Sequence, residues 1–204
     1  MMLPPAMIAQ AQAIVTKWLP LYPRDPAERP WVNLPANQAQ QAAEDAWLDT
    51  FSGLASLSRV QVEELISWKW GGYPPGRKRA RDGISTNWGR ASRCIRSALR
   101  CGASPSQAID SLCEKAGGVP GWQTSMSSVV LAACRPSIYS VADSRALKTI
   151  KLLKGYSQKD IDSTAWFPPS WWTPYLSTCQ ALSQNLGVSL RNLDRALWAS
   201  KGRP

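Results

Sequence analysis

The 204-residue chain contains no histidine. This absence excludes a Ser-His-Asp triad, a histidine general base and histidine-ligated zinc or haem. Acid–base chemistry in this protein must therefore use carboxylates, lysine, tyrosine or cysteine.

Cysteine is scarce and its spacing is irregular. The five thiols are Cys94, Cys101, Cys113, Cys134 and Cys179, and no two of them form the C-x-x-C pair typical of zinc and iron–sulfur sites. We expect reduced thiols in a cytoplasmic protein, with no metal and no other cofactor; a disulfide framework is the alternative.

Long apolar runs are also missing. No stretch approaches the roughly 20 residues that a membrane span needs. In the first 20 residues the only basic residue, Lys17, follows the apolar part, which is the wrong order for a signal peptide. We expect neither a membrane partner nor a secretory leader.

Alternating β-branched patterns are nearly absent, and helical periodicity is widespread, so the sequence predicts an all-α fold. Residues 1–35 are interpreted as an N-terminal helix (6–19) and a proline-rich arm that packs on the body, a helical domain over 36–204. Helices are predicted near 36–55, 58–70, 85–101, 105–116, 125–134, 143–153, 170–186 and 189–200. Serine residues, or a Ser-Pro pair at 104–105, mark several of their starts.

Basic residues outnumber acidic ones by 24 to 14, giving a net charge of +10, and the excess is concentrated in residues 77–101. Asp82 is the only acidic residue there. A solvated basic face is the usual explanation of a charge run, but eight basic residues against one acidic residue in 25 go beyond it. Such a run favours binding to nucleic-acid phosphates over an acidic protein or a membrane surface. We interpret Gly71–Arg81 as a flexible loop that grips DNA. The basic residues of 77–101 are Arg77, Lys78, Arg79, Arg81, Arg90, Arg93, Arg96 and Arg100.

The most informative stretch is a turn between two predicted helices. A Gly-Gly-Val-Pro-Gly turn at 117–121 leads directly into a helix whose first N–H groups are free to bind a phosphate. After that helix comes Asp143, at the start of the next one, where the helix dipole favours its ionised form. An ordinary N-cap is the alternative role for this aspartate.

This order resembles the helix-hairpin-helix DNA glycosylases, in particular the bacterial branch similar to 8-oxoguanine DNA glycosylase. Val119-Pro120-Gly121 match the hairpin, Asp143 matches the catalytic aspartate, and Trp68-Lys69-Trp70 and the ending 187–201 match flanking segments. The resemblance covers residues 57–201. It implies a helix-hairpin-helix fold and DNA contacts from Gly118, Val119, Gly121, Gln123 and Ser125. The basic run itself predicts further DNA contacts from Arg77, Lys78, Arg79 and Arg81.

Two hairpin positions depart from the family pattern. Gln123 replaces the second glycine, and Ser125 stands where bifunctional members carry a nucleophilic lysine. Because serine cannot form a Schiff base, the resemblance implies a monofunctional enzyme without lyase activity. Lys115 and Lys148 are the two lysines that we consider as substitutes.

Excision would require a pocket for the extruded base. The chain has 11 tryptophans, more than a core of this size needs. Core packing is the plain alternative for each of them. The expected pocket residues are Trp68, Trp70, Trp122, Trp166, Trp171 and Trp172.

Three functions stay open at this point. The first is a monofunctional glycosylase, in which Asp143 activates water and stabilises the cationic sugar while a damaged or modified base leaves double-stranded DNA. The second is a catalytically inert DNA-binding or damage-sensing module. The third is a helical protein whose basic face binds an acidic partner. For the first, we expect a monomer associated with the bacterial nucleoid, in repair or in defence against phage.

Overall fold

The computed structural model describes residues 2–22, 38–70, 73–100 and 102–204, and every regular element in these ranges is helical. The α-helices are α1 (Pro5–Trp18), α2 (Gln38–Asp49), α3 (Arg59–Trp70), α4 (Pro74–Thr86), α5 (Trp88–Ala98), α6 (Pro105–Leu112), α7 (Thr124–Cys134), α8 (Ser144–Leu153), α9 (Gln158–Asp162), α10 (Trp172–Leu186) and α11 (Leu190–Ser200). Short 3-10 turns cover Leu19–Leu21, Glu114–Ala116 and Pro169–Trp171. The predicted all-α class is confirmed.

Most helices begin where the sequence places a cap. Ser104 forms a capping box with Gln107, and the Ser189 hydroxyl accepts a hydrogen bond from Asn192 N at 3.1 Å. Helix ends were predicted less well. The helix expected over 105–116 stops at Leu112, because the next residue leaves helical geometry and a 3-10 turn follows.

The basic segment is a helix over most of its length, so the prediction of a flexible loop over Gly71–Arg81 was wrong from Pro74 onward. Proline suits the first turn of α4 because N–H groups there have no partner within the helix. Ala80, Gly83 and Ile84 form its buried face. Burial of this narrow face stabilises a segment whose prolines and charges hide its helical period. Residues 71 and 72 lie outside the described residues.

The core is built around α7. Nine of its eleven residues are buried, and it packs against α3 and α6. A second group forms around α11, which packs against α1, α8 and α10. Side chains from α3, α7, α8 and α11 meet around one cavity, which is the candidate site.

The N-terminal region takes part in this packing. Helix α1 contacts α11, and Tyr22 beyond it is buried and donates a hydrogen bond to Glu44 Oε1 at 3.1 Å. The proline-rich arm with Trp31 falls in 23–37, outside the described residues, as does Cys101. The other four cysteines are free thiols.

Candidate functional site

A buried ion pair joins two distant parts of the chain. Lys69 Nζ, at the end of α3, lies 2.6 Å from Asp143 Oδ2, just before α8, and the two side chains are 7% and 18% exposed. The other carboxylate oxygen of Asp143 accepts a hydrogen bond from Arg145 N at 2.9 Å. Asp143 is therefore both a helix N-cap and the partner of a lysine, so the two roles proposed for it are compatible.

The ion pair sets the protonation state of Asp143. Burial alone would raise the pKa of this carboxyl, but the charge and hydrogen bond of Lys69, together with Arg145, lower it below the ordinary value. A group with such a pKa is fully ionised at neutral pH. The site thus holds a carboxylate whose negative charge is fixed in position by a lysine.

This ion pair borders a cavity of about 520 Å³. The volume falls within the range of typical small-molecule sites and is large enough for one extruded base. Its walls carry aromatic side chains: Trp68, Trp70, Tyr73, Tyr139 and Trp198. The arrangement offers stacking surfaces around a fixed charge.

Segment 140–143 is held by α7. Ser128 Oγ accepts a hydrogen bond from Ala142 N at 2.8 Å and donates one to Ser125 O at 2.9 Å. Tyr175 on α10 donates to Val141 O at 3.0 Å. These bonds fix the backbone immediately before Asp143, so the carboxylate position is determined by packed helices.

A second carboxyl lines the same cavity. Asp194 on α11 is contacted by Ser140 Oγ at 3.1 Å and by the Tyr175 hydroxyl at 3.2 Å. No ion pair involves Asp194 among the residues that the structure describes. The pKa of Asp194 is raised to about 7, chiefly by burial; the charge of Lys69 and hydrogen bonds from the two hydroxyls oppose this rise, and the charge of Asp143 contributes to it.

The structure places the predicted tryptophans in different environments. Trp68 and Trp70 line the cavity, as expected. Trp122 and Trp172 are core residues: Trp122 is fully buried with its Nε1 donating to Ala80 O at 3.1 Å, and Trp172 is 2% exposed and stacks on Tyr139. Their assignment to a base pocket was wrong, because helices pack over both rings.

The remaining two tryptophans also lie off the cavity. Trp166 is exposed outside it, and Trp171 packs against Tyr156 near the Lys151 ammonium. Sequence reasoning missed Trp198, which lines the cavity four residues after Asp194 on α11 and packs against the Arg145 guanidinium at 4.5 Å. The i, i+4 spacing of Asp194 and Trp198 could have placed both on one helix face.

Lys69 itself was missed as a site residue. The sequence indicated it only as part of Trp68-Lys69-Trp70, a flanking segment of the resemblance. Lys115 is exposed on the 3-10 turn, Lys148 packs near Gly202, and neither lines the cavity. Ser125 does not line it either. The amine at this site therefore comes from α3.

The hairpin is built around internal hydrogen bonds. Gly118 N donates to Cys113 O and Val119 N to Leu112 O, both at 2.9 Å, and both residues are buried. The amides of Gly118 and Val119 are therefore used within the turn, and contact of these residues with DNA stays a prediction. The amides of Thr124 and Ser125, which open α7, have no hydrogen-bond acceptor among the described residues. Gln123 beside them is exposed.

Helix α4 lies directly on the hairpin. A Cβ added at Gly83 would meet Pro120 O at 1.8 Å, and one at Gly121, whose φ is +75°, would meet Arg79 O at 2.6 Å. Only glycine permits this backbone-to-backbone contact. The hairpin and α4 thus form one surface, which we call the α4–hairpin surface (Pro74–Thr86 and 117–125).

The basic side chains of this surface point largely to solvent. Lys78, Arg79 and Arg81 are exposed and Arg77 is partly exposed. Lys78 pairs with Asp82 at 2.6 Å, and on α5 Arg90 donates to Gly117 O at 2.7 Å, which ties that helix to the turn. The concentration of positive charge beside the open amides of α7 suits phosphate groups.

Comparison with protein-family models, curated proteins and solved structures finds no match to this chain. Function must therefore be argued from the site. Among the described residues no helix is long and apolar enough to cross a membrane, and no cluster of three or more cysteine or acidic side chains could hold a metal ion.

Proposed function

We propose that this protein is a DNA glycosylase, and the observation that carries the proposal is the Lys69–Asp143 pair in an aromatic-walled cavity. Cleavage of an N-glycosidic bond builds positive charge on the deoxyribose. The ionised carboxylate of Asp143, fixed by two donors, would stabilise that charge without reorganisation.

The α4–hairpin surface supports DNA as the substrate. Its exposed Lys78, Arg79 and Arg81 would neutralise phosphates, and the amide of the partly exposed Ser125 at the start of α7 would hold one more. Helix α3 packs on α4 and carries Lys69, so the cationic surface and the cavity share one support. A nucleotide turned out of the duplex would stack against Trp70 or Trp198.

Lys69 changes the expectation of a purely hydrolytic enzyme. It supplies an amine beside the catalytic carboxylate, the role for which the resemblance requires a lysine at the position of Ser125. In this proposal Lys69 loses a proton to water and attacks the sugar C1′ as the bond from C1′ to the base or hydroxyl breaks. The C1′–O4′ bond then opens, O4′ takes a proton, and a Schiff base is left between Lys69 and C1′. The enzyme would then also act on abasic sites.

An abasic site tests this without knowledge of the excised base. Wild-type protein is incubated with a duplex bearing one abasic site and sodium borohydride, and the covalent adduct is measured on a denaturing gel. We expect an adduct that disappears in Lys69→Met and persists in Lys115→Met and Lys148→Met. Binding and base excision without an adduct would favour a monofunctional glycosylase. Binding with neither an adduct nor excision across a panel of modified bases would favour the inert module.

A further inference from the structure

The mechanism proposed above leaves Asp194 unused, although this carboxyl lines the same cavity. It lies on α11, opposite the elements that carry Lys69 and Asp143. The titratable groups facing it are Lys69 from α3, Asp143 before α8, and Tyr175 and Cys179 from α10. Its role can be inferred from the hydrogens available to this group of residues.

The Tyr175 hydroxyl makes two contacts but has one hydrogen. Its oxygen lies 3.0 Å from Val141 O and 3.2 Å from Asp194 Oδ1, and the ring is fully buried. A carbonyl and a carboxylate both only accept, so with Asp194 ionised the two acceptors compete for this one hydrogen. Protonation of Asp194 removes the competition, because the carboxyl can then donate to the Tyr175 oxygen while the Tyr175 hydrogen goes to Val141 O. Ser140 gives its own hydrogen to Asp194 Oδ1 at 3.1 Å.

The charges around the two carboxyls also favour a proton on Asp194 and an ionised Asp143. Asp143 is 2.6 Å from an ammonium group, whereas Asp194 receives only neutral hydroxyls within the described residues. Burial keeps the protons on Tyr175 and Cys179 by raising the pKa of each. The two carboxyls share one cavity, and their pKa values are displaced in opposite directions. In such a pair one carboxylate stays ionised and the other carboxyl acts as a general acid.

We propose that Asp194 is the proton donor of this cavity and that the base it accepts is an uncharged one, whose departure requires a proton. This inference rests on the proposed glycosylase function. The C1′–N bond breaks with its electron pair moving to the base, and the proton of Asp194 passes to a nitrogen or oxygen of that base. Asp143 stabilises the sugar cation until the Lys69 amine forms its bond to C1′, and Asp194, left as a carboxylate, regains a proton from water.

The proposal defines the class of substrate. A base alkylated on a ring nitrogen is already cationic and leaves without a proton, so Asp194 would add little to its departure. A neutral lesion, such as an oxidised or deaminated base, leaves as an anion unless it is protonated. We therefore expect replacement of Asp194 to slow the excision of neutral bases and not that of N7-methylguanine.

The first experiment measures the protonation state directly. The carboxyl carbons of aspartate are labelled with ¹³C in the wild-type protein, and the signal absent from Asp194→Asn is followed by NMR between pH 4 and 9. We expect that signal to titrate near pH 7. Titration near pH 4 would overturn the proposal, whatever the activity.

The second experiment measures base departure. Single-turnover excision is followed on duplexes containing 8-oxoguanine, hypoxanthine, uracil or N7-methylguanine, with Asp194→Asn and the surface variant Asp162→Asn compared with wild type. We expect a 10²-fold or greater loss in Asp194→Asn on a neutral base. We expect unchanged binding of an abasic duplex and wild-type rates in Asp162→Asn.

The results distinguish the role of Asp194 from the proposed glycosylase function. Equal excision by wild type and Asp194→Asn, or excision of N7-methylguanine alone, would overturn the role of Asp194. Intact binding of the abasic duplex with no excision of any base would overturn the proposed glycosylase function in favour of the inert module, and the role of Asp194 with it. Failure of the wild-type protein to bind the abasic duplex would also overturn the proposed function.

Discussion

Replacing Asp143 with asparagine affects both the stability of the fold and the proposed excision reaction, because both depend on the charge of one carboxylate. Asparagine keeps an oxygen that can accept the hydrogen bond of Arg145 N, so the cap of α8 is preserved. It removes the negative charge 2.6 Å from Lys69, whose side chain is 7% exposed. The variant therefore leaves a lysine charge enclosed and without its counter-ion.

Both effects have a magnitude. Breaking a buried ion pair by removing one partner costs about 3–5 kcal/mol. For a domain of this size that lowers Tm by roughly 6–20 °C, at about 2–4 °C per kcal/mol. Loss of one preorganised electrostatic group lowers the rate of base excision by about 10²–10³-fold.

A double-mutant cycle separates the two effects. Lys69→Met with Asp143→Asn removes the enclosed charge, so we expect Tm to recover most of the loss while excision stays low. Thermal unfolding and single-turnover excision are measured on the wild type, both single variants and the double variant. Undiminished excision by Asp143→Asn would reduce this residue to a helix cap and refute the mechanism.

Three other predictions rest on the described geometry. Alanine at Arg77, Lys78, Arg79 and Arg81 should weaken binding to all DNA sequences alike. The slope of log affinity against log salt concentration, measured by fluorescence anisotropy from about 50 to 300 mM salt, should fall by about one for each phosphate that is no longer neutralised. An unchanged slope would place the DNA surface elsewhere. Gly83→Ala should lower the free energy of unfolding by about 1–3 kcal/mol, because its Cβ would meet Pro120 O at 1.8 Å, whereas Gly89→Ala, with no neighbour closer than 3.6 Å, should not destabilise the protein; equal effects would contradict the α4–hairpin packing. The folded-state pKa of Asp194 is raised to about 7, so its favourable contribution to the free energy of unfolding is complete below about pH 4 and is lost as the pH rises to 7. Asp194→Asn should remove up to about 4 kcal/mol of this pH dependence, measured by denaturant titration at a series of pH values. An unchanged pH profile would show that Asp194 ionises normally.

The sequence was sufficient for the all-α class and for most helix starts, since serine caps and apolar periodicity are local signals. It was not sufficient for α4, where prolines and charges obscure a buried face of only three residues. Pairing between Lys69 and Asp143 spans 74 residues of chain and depends on how α3 packs against α7. No local pattern contains that information.

The tryptophans show the same limit. Composition indicated that some of them had a role beyond the core, but it could not distinguish the fully buried Trp122 from Trp70 on the cavity wall. That distinction depends on which helix covers each ring. Gly118 and Val119 likewise fitted a DNA-binding motif, yet their amides close the turn internally.

One acidic side chain joins both ends of the chain to the cavity wall. Glu44 accepts hydrogen bonds from Tyr22, from Trp68 and from Arg195 on α11, where the shortest distance is 2.7 Å. A shortened protein covering only 57–201, the span suggested by the resemblance, would leave the Arg195 guanidinium, 3% exposed in the full chain, without Glu44 and Asp45. We therefore expect a shortened protein to keep its fold only if it includes α2 as well as α11, because a boundary drawn from motifs alone would remove the hydrogen bond that Trp68 donates to Glu44.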